Sequence, residues 1–100
     1  MARMKYRIVL ATEAIQDVKR LPVRDRGHVR DAIEEHLRHQ PTRVGKSRIK
    51  RLRGLAKPQY RLRVGDIRIF YDVFKDEVRI LAIIWKPEAE RWLAEKGERS

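Results

Sequence analysis

The alternating pattern between Gln59 and Ile84 constrains the fold of this chain more than any other feature. Apolar residues alternate with mostly polar ones over residues 60–64 and 67–73, and residues 78–84 form a third, largely apolar run. A period of two residues is that of a β-strand with one buried face. Two short breaks, Gly65-Asp66 and Lys75-Asp76, separate the three runs and have the length of two-residue hairpin loops. The second half of the chain therefore predicts an antiparallel meander.

The first half predicts one strand and two helices. Residues 6–11 have β-branched Ile8 and Val9 at their centre and favour a strand. Helical spacing of apolar residues follows up to Pro22, and again over residues 24–39 before Pro41. A last helix begins near Pro87. The fold class is α+β, with an αα-hairpin on one face of an antiparallel sheet of about four strands and a short C-terminal helix.

Length and composition indicate one domain over residues 1–100. A chain of 100 residues has room for a single core. Its longest apolar run, Ile80 to Trp85, is far below the roughly 18 residues of a membrane span. The apolar stretch after the basic N-terminus is too short for a signal peptide, and the chain has no cysteine. We expect a cytoplasmic protein without a membrane partner.

Positive charge is concentrated in the middle of the chain. The sequence has 25 Lys and Arg against 14 Asp and Glu, a net charge of +11, and ten of the basic residues fall between Arg43 and Arg68. Such a stripe is typical of a protein that binds a phosphate-rich partner. The alternative is a solubilising surface. Four residues, here called the basic loop, are predicted to contact that partner: Lys46, Arg48, Lys50 and Arg51.

The hairpin register predicts a cluster of unpaired arginines. Two-residue loops place Arg63 opposite Arg68 with Arg61 two residues along, and these three residues are called the arginine cluster. Opposed like charges destabilise an antiparallel pair by up to about 1 kcal/mol, so the cluster suggests an anion site. A solvated strand face with splayed arginines is the alternative. In the second hairpin the same register places Phe70 opposite Leu81. Four apolar residues are then expected on the face that carries the cluster, and they are called the apolar group: Phe70, Leu81, Ile83 and Trp85.

Other chemistries have little support in the sequence. Guanidinium groups bind phosphate in bidentate geometry and stabilise developing negative charge, but they are poor bases. There is no GxxxxGK[ST], GxSxG or HExxH motif. His28, His36 and His39 all fall on or just after the second helix without a third metal ligand nearby. We expect neither a metal nor a cofactor.

Three segments resemble a known family. They are Leu52-Arg53-Gly54, the run YRLRVGDIRIFY over residues 60–71, and residues 78–84. Together with the two helices before Pro41, they are similar to the RelE/ParE superfamily of type II toxin–antitoxin toxins over roughly residues 5–85. The resemblance implies an αα-hairpin on a curved antiparallel sheet. It also implies an antitoxin, encoded beside the toxin, that wraps around it and could cover the apolar group if the last helix does not.

RelE-like members cut messenger RNA on the ribosome, where the ribose 2′-hydroxyl attacks the adjacent phosphate. The resemblance places their basic catalytic roles on the arginine cluster and Arg53, and adds Lys86 to the RNA contacts of the basic loop. The segment from Trp85 to Leu93 lacks the tyrosine that active members usually carry after the last strand. Two alternatives therefore remain open: a ParE-like toxin that binds DNA gyrase without cleaving RNA, and an inactive relic that only binds antitoxin.

Overall fold

The computed structural model describes residues 5–45 and 48–100. Within these residues no helix is both long enough and apolar enough to cross a membrane. The elements in chain order are β1 (Arg7–Leu10), α1 (Thr12–Arg20), α2 (Val23–His36), β2 (Ile49–Arg51), β3 (Leu55–Lys57), β4 (Tyr60–Val64), β5 (Ile67–Phe74), β6 (Glu77–Trp85), α3 (Lys86–Lys96) and β7 (Glu98–Arg99).

A five-stranded sheet in the order β1-β6-β5-β4-β2 forms the centre of the fold. The four predicted strands correspond to β1, β4, β5 and β6, and the short strand β2 adds a fifth beside β4. The meander of β4, β5 and β6 is antiparallel as predicted, whereas β1 pairs parallel to β6, so the sheet is mixed. Parallel pairing needs a crossover connection, which the long path through the helices and the meander supplies. A separate two-stranded ladder joins β3 to β7.

The αα-hairpin packs on one face of the sheet, as the sequence predicts. Apolar side chains of both helices meet the inward-facing side chains of the central strands in one core. Among the latter, Leu62, Ile69, Tyr71 and Ile80 are completely buried. Full burial of a large apolar side chain is worth about 1.5–3 kcal/mol, so this face holds the two halves of the chain together.

Helix α2 ends at His36, three residues before the predicted end at His39. The carbonyl of Arg38 accepts a hydrogen bond of 2.8 Å from the N–H of Tyr6, a residue next to β1. The hydroxyl of Tyr71 donates a 2.6 Å hydrogen bond to the carbonyl of Pro41. These tertiary bonds fix the chain after α2 in a non-helical path that apolar periodicity does not reveal.

A β-bulge at Leu81 changes the faces of β6. The two-residue turn at Lys75-Asp76 gives the predicted pairs at the start of the hairpin, but Phe70 pairs with Ala82 instead of the predicted Leu81. One extra residue in β6 reverses the orientation of every side chain that follows it. Ile83 is therefore paired with Ile69 and belongs to the core.

Helix α3 covers part of the opposite face of the sheet. Its Trp92 ring stacks on Phe70 with ring centroids 5.1 Å apart and an angle of 5° between the planes. The Trp92 Nε1–H also donates a 3.1 Å hydrogen bond to Oε1 of Glu13 in α1. These two contacts fix the position of α3 relative to β5.

Candidate functional site

The arginine cluster lies on the hairpin of β4 and β5, and its predicted register is confirmed. Val64 pairs with Ile67 across the two-residue loop, and Arg63 pairs with Arg68. Gly65 adopts a φ of +58°, a conformation that glycine reaches without a Cβ clash. The local turn therefore places the two arginines opposite each other.

Arg68 is held against the end of this hairpin. Its Nη1 donates hydrogen bonds of 2.8 Å to the carbonyl of Gly65 and 3.0 Å to that of Ile67. Only 8% of the residue is exposed. Burial lowers the pKa of Arg68, and the charge of Arg63 lowers it further, whereas Asp66 acts in the opposite direction. An arginine remains protonated under these conditions, so the site carries a fixed positive charge.

Arg61 has a buried donor for which the described residues provide no acceptor. Its Nε is buried and has no hydrogen-bond partner among the described residues. Burial lowers the pKa of Arg61, and the charges of Arg68 and then Arg63 add to this effect. A buried N–H group without an acceptor costs about 1–3 kcal/mol. An anion bound to the guanidinium of Arg61 would offset the repulsion from the neighbouring arginines.

Arg61 and Arg68 lie in one open groove of about 760 Å³ between the sheet and α3. Phe70 contributes to its floor, Lys50 lines it from β2, and Lys86 lines it from α3. Arg63 is exposed and lines a separate depression beside Arg48, although its charge reaches Arg61 and Arg68. The groove therefore combines four cationic side chains with an apolar base.

The other predicted basic residues lie elsewhere. Arg53 is exposed in the turn between β2 and β3 and does not line the groove. Arg51 Nη1 donates to the carbonyl of Gln59 at 2.7 Å, and its guanidinium lies 5.3 Å from the centroid of the Tyr60 ring. Lys46 falls outside the described residues.

Arg48 is positioned by a histidine of α2. Its Nη1 lies 3.0 Å from His36 Nε2, and an arginine can only donate, so this nitrogen is the acceptor. Burial lowers the pKa of His36, with the charge of Arg48 adding to the effect and Glu35 opposing it. Neutral His36 therefore fastens one end of the basic loop to α2.

The predicted register is wrong for the apolar group, because its four residues do not share the face that carries the arginine cluster. Phe70 is 1% exposed beneath Trp92, and Ile83 is 2% exposed in the core. Leu81 occupies the bulge and is partly buried. Trp85 pairs with Ile67 on the face that the αα-hairpin covers, and it is 38% exposed. The bulge is the physical reason, because it moves Ile83 and Trp85 to the other face.

Two features of α3 were not predicted from the sequence: the place of Glu90 in the groove and the stacking of Trp92 on Phe70. Glu90 lines the groove from α3, where Lys86, Glu90 and Leu93 follow one another at helical spacing. This spacing was a usable signal, but only the packing of Trp92 on Phe70 places that helical face over the arginines. Among the residues that the structure describes, no three His, Cys, Asp or Glu side chains could together hold a metal ion.

Comparison with known proteins agrees with this architecture. The family model described as "ParE toxin of type II toxin-antitoxin system, parDE" matches residues 8–88, most of the chain. The chain belongs to this toxin family. It is thus a toxin of the RelE/ParE superfamily, as the resemblance implied. A search of curated protein sequences gave no match.

Solved structures of RelE toxins have the same fold. The archaeal RelE-RelB complex from Pyrococcus horikoshii OT3 contains a chain with 23% identity and a TM-score of 0.67, covering 83% of this toxin and 97% of that chain. A chain of the RelB-RelE complex from Methanococcus jannaschii has 24% identity and a TM-score of 0.66, and the match covers 84% of this toxin and 96% of that chain. A chain of the RelBE2 toxin-antitoxin complex from Mycobacterium tuberculosis has 28% identity and a TM-score of 0.64, and the match covers 81% of this toxin and 98% of that chain. This toxin therefore has the α+β fold of RelE toxins.

Proposed function

We propose that this toxin is a ribosome-dependent endoribonuclease that cleaves messenger RNA. One observation carries the proposal: Arg61 and Arg68 line one groove, and their like charges repel each other there. A scissile phosphate held by their guanidinium groups would offset this repulsion. Arg68 has donors besides the Nη1 that its backbone contacts occupy, and these can stabilise the charge that develops on the phosphate.

The basic residues around the groove would bind RNA without reading its sequence. Lys50 and Lys86 line the groove, and Arg48 and Arg63 extend the positive surface from its side. Contacts of this kind release counterions, so affinity should fall steeply as salt rises. We assign Arg51 and Lys46 of the basic loop to the same docking role, and Arg53 to a more distant contact with the RNA.

The decisive experiment maps RNA cleavage on translating ribosomes. Arg68→Ala should reduce the single-turnover rate by roughly 10²–10³-fold while ribosome affinity changes little. Arg63→Ala serves as a second variant, because Arg63 is exposed and its removal should not disturb folding. The matched control is Arg79→Ala, an exposed strand arginine that pairs with Glu77 outside the groove. Absence of cleavage by the parent chain would refute the proposal.

Variants of the basic loop distinguish RNA binding from catalysis. Replacing Lys46 and Lys50 by Ala should weaken ribosome association and flatten its salt dependence, with a smaller effect on the rate of the bound complex. Equal losses of affinity in this double variant and in Arg68→Ala, without cleavage by the parent, would mean that the arginines are part of a docking surface.

A second candidate function is ParE-like poisoning of DNA gyrase without RNA cleavage. The matching family model is that of ParE, and the tyrosine that RelE-like nucleases carry after the last strand is missing. Inhibition of gyrase supercoiling by a chain that leaves ribosome-bound RNA intact would establish this function. A chain inactive in both assays that still binds an antitoxin would be the relic.

We also propose that the toxin binds a cognate antitoxin. The three structural neighbours described above are toxin–antitoxin complexes, which supports such a partner. Leu81 and Trp85 are accessible enough for direct contact, whereas Phe70 and Ile83 would be reached only if a helix moved. Hydrogen exchange with and without antitoxin tests this: protection confined to Leu81 and Trp85 supports direct contact, and no change at any of the four excludes it.

A further inference from the structure

The groove contains one carboxylate among its cations. Among the described residues, the side chains that line it are basic or apolar with the exception of Glu90, an exposed residue of α3. Lysine and arginine side chains offer only donors at neutral pH, so Glu90 supplies the acceptor oxygens in the lining of this groove. None of the three histidines lines it.

Among the described residues, Glu90 has no partner that would occupy its carboxylate. Within residues 5–45 and 48–100, no ion pair or hydrogen bond joins it to another side chain, although the groove also holds Arg61, Arg68 and two lysines. The carboxylate and the guanidinium groups therefore line one space without closing it. A phosphate bound to the arginines would lie in the same groove as the Glu90 carboxylate.

Helix α3, which carries Glu90, is anchored to the sheet and to α1. Trp92, two residues further along, is anchored by its stack on Phe70 and its hydrogen bond to Glu13. Phe70 is itself two residues after Arg68 on β5 and shares its face of the sheet. The base and the phosphate-binding arginine are thus carried by two elements that are locked together, as preorganised catalysis requires.

We propose that Glu90 is the general base of the RNA cleavage reaction, an inference that rests on the proposed endoribonuclease function. The carboxylate takes the proton from the ribose 2′-hydroxyl as O2′ forms a bond to the adjacent phosphorus. The bond from phosphorus to the 5′-oxygen of the next nucleotide breaks, and that oxygen takes a proton from water. The products are a 2′,3′-cyclic phosphate and a free 5′-hydroxyl. In this chain the carboxylate of α3 performs the proton transfer for which no residue could be assigned from the sequence.

The test compares Glu90→Gln with Glu95→Gln in single-turnover cleavage on programmed ribosomes. Glu95 is an exposed glutamate of the same helix that does not line the groove, so its substitution removes the same charge and should leave the rate unchanged. Loss of a general base reduces the rate by about 10²–10⁴-fold. The Gln variant should retain full ribosome affinity or bind more tightly, since it removes a negative charge from a phosphate-binding groove.

Glu90→Asp adds a readout that a structural role would not change. Its carboxylate keeps both the base and the charge, so this variant should recover part of the rate that Glu90→Gln loses. A Glu90→Gln variant that cleaves as fast as the parent would overturn the role of Glu90 alone. A parent that does not cleave would overturn the endoribonuclease function and this role with it.

Discussion

Removing the charge of Arg61 should raise the free energy of unfolding of the toxin. We consider Arg61→Met, which keeps a long flexible side chain for packing and removes the guanidinium. The parent residue buries Nε without a described acceptor and lies within reach of the charges of Arg68 and Arg63. Removing an unsatisfied buried donor should recover about 1–3 kcal/mol, and loss of like-charge repulsion should add a few tenths.

Some of this gain is offset, because Met cannot reproduce every contact of the arginine stem. We therefore expect Arg61→Met to raise the free energy of unfolding by about 1–2 kcal/mol. For a domain of this size, each kcal/mol raises Tm by about 4–8 °C. The same variant should lose RNA cleavage, which is the trade-off expected where a functional site retains strain.

Urea and thermal unfolding at low ionic strength provide the assay. The control is Arg79→Met, which removes an arginine that is paired with Glu77 at 3.0 Å and should give no gain. Inorganic phosphate should stabilise the parent more than chloride at equal ionic strength, because it offsets the repulsion among the arginines, and this difference should shrink in Arg61→Met. A variant less stable than the parent, with an undiminished response to phosphate, would refute the reasoning.

Three further predictions concern contacts that hold the site together. Asp17 accepts the backbone N–H of Ile83 at 2.9 Å, so Asp17→Ala should lower the free energy of unfolding by about 1–3 kcal/mol, and Asp17→Asn, which keeps an acceptor, by much less; equal losses in urea would contradict this account. The pKa of His36 is lowered in the folded state, so its neutral form stabilises the fold fully above the unfolded pKa near 6.5, and this contribution is lost as pH falls below that value. His36→Gln, whose amide oxygen can still accept from Arg48, should flatten the stability difference between pH 7.5 and 5.5, and an unchanged pH dependence would exclude the contact as its source. Trp92→Leu should cost about 0.5–1.5 kcal/mol beyond the lost burial and should lower hydrogen-exchange protection in α3 but not in the sheet; uniform loss of protection would show that α3 does not open separately.

The secondary structure and the arginine pairing followed from local patterns in the sequence. A two-residue period fixes which side chains share a strand face, and a two-residue loop fixes the register of its hairpin. Both rules operate within a few residues, so the opposition of Arg63 and Arg68 could be predicted without knowledge of the rest of the fold. The helices before Pro41 and after Pro87 followed in the same way from apolar spacing and proline positions.

The tertiary structure alone decided how the distant segments meet. The bulge at Leu81 has no composition signal, because an extra residue in a run of apolar side chains leaves the run looking regular, yet it moves Ile83 from the arginine face into the core. The parallel pairing of β1 with β6 joins strands nearly seventy residues apart, and strand propensity carries no direction. The position of Glu90 over the arginine groove depends in turn on the packing of Trp92 against Phe70, a contact between two elements whose side-chain periods are independent of each other.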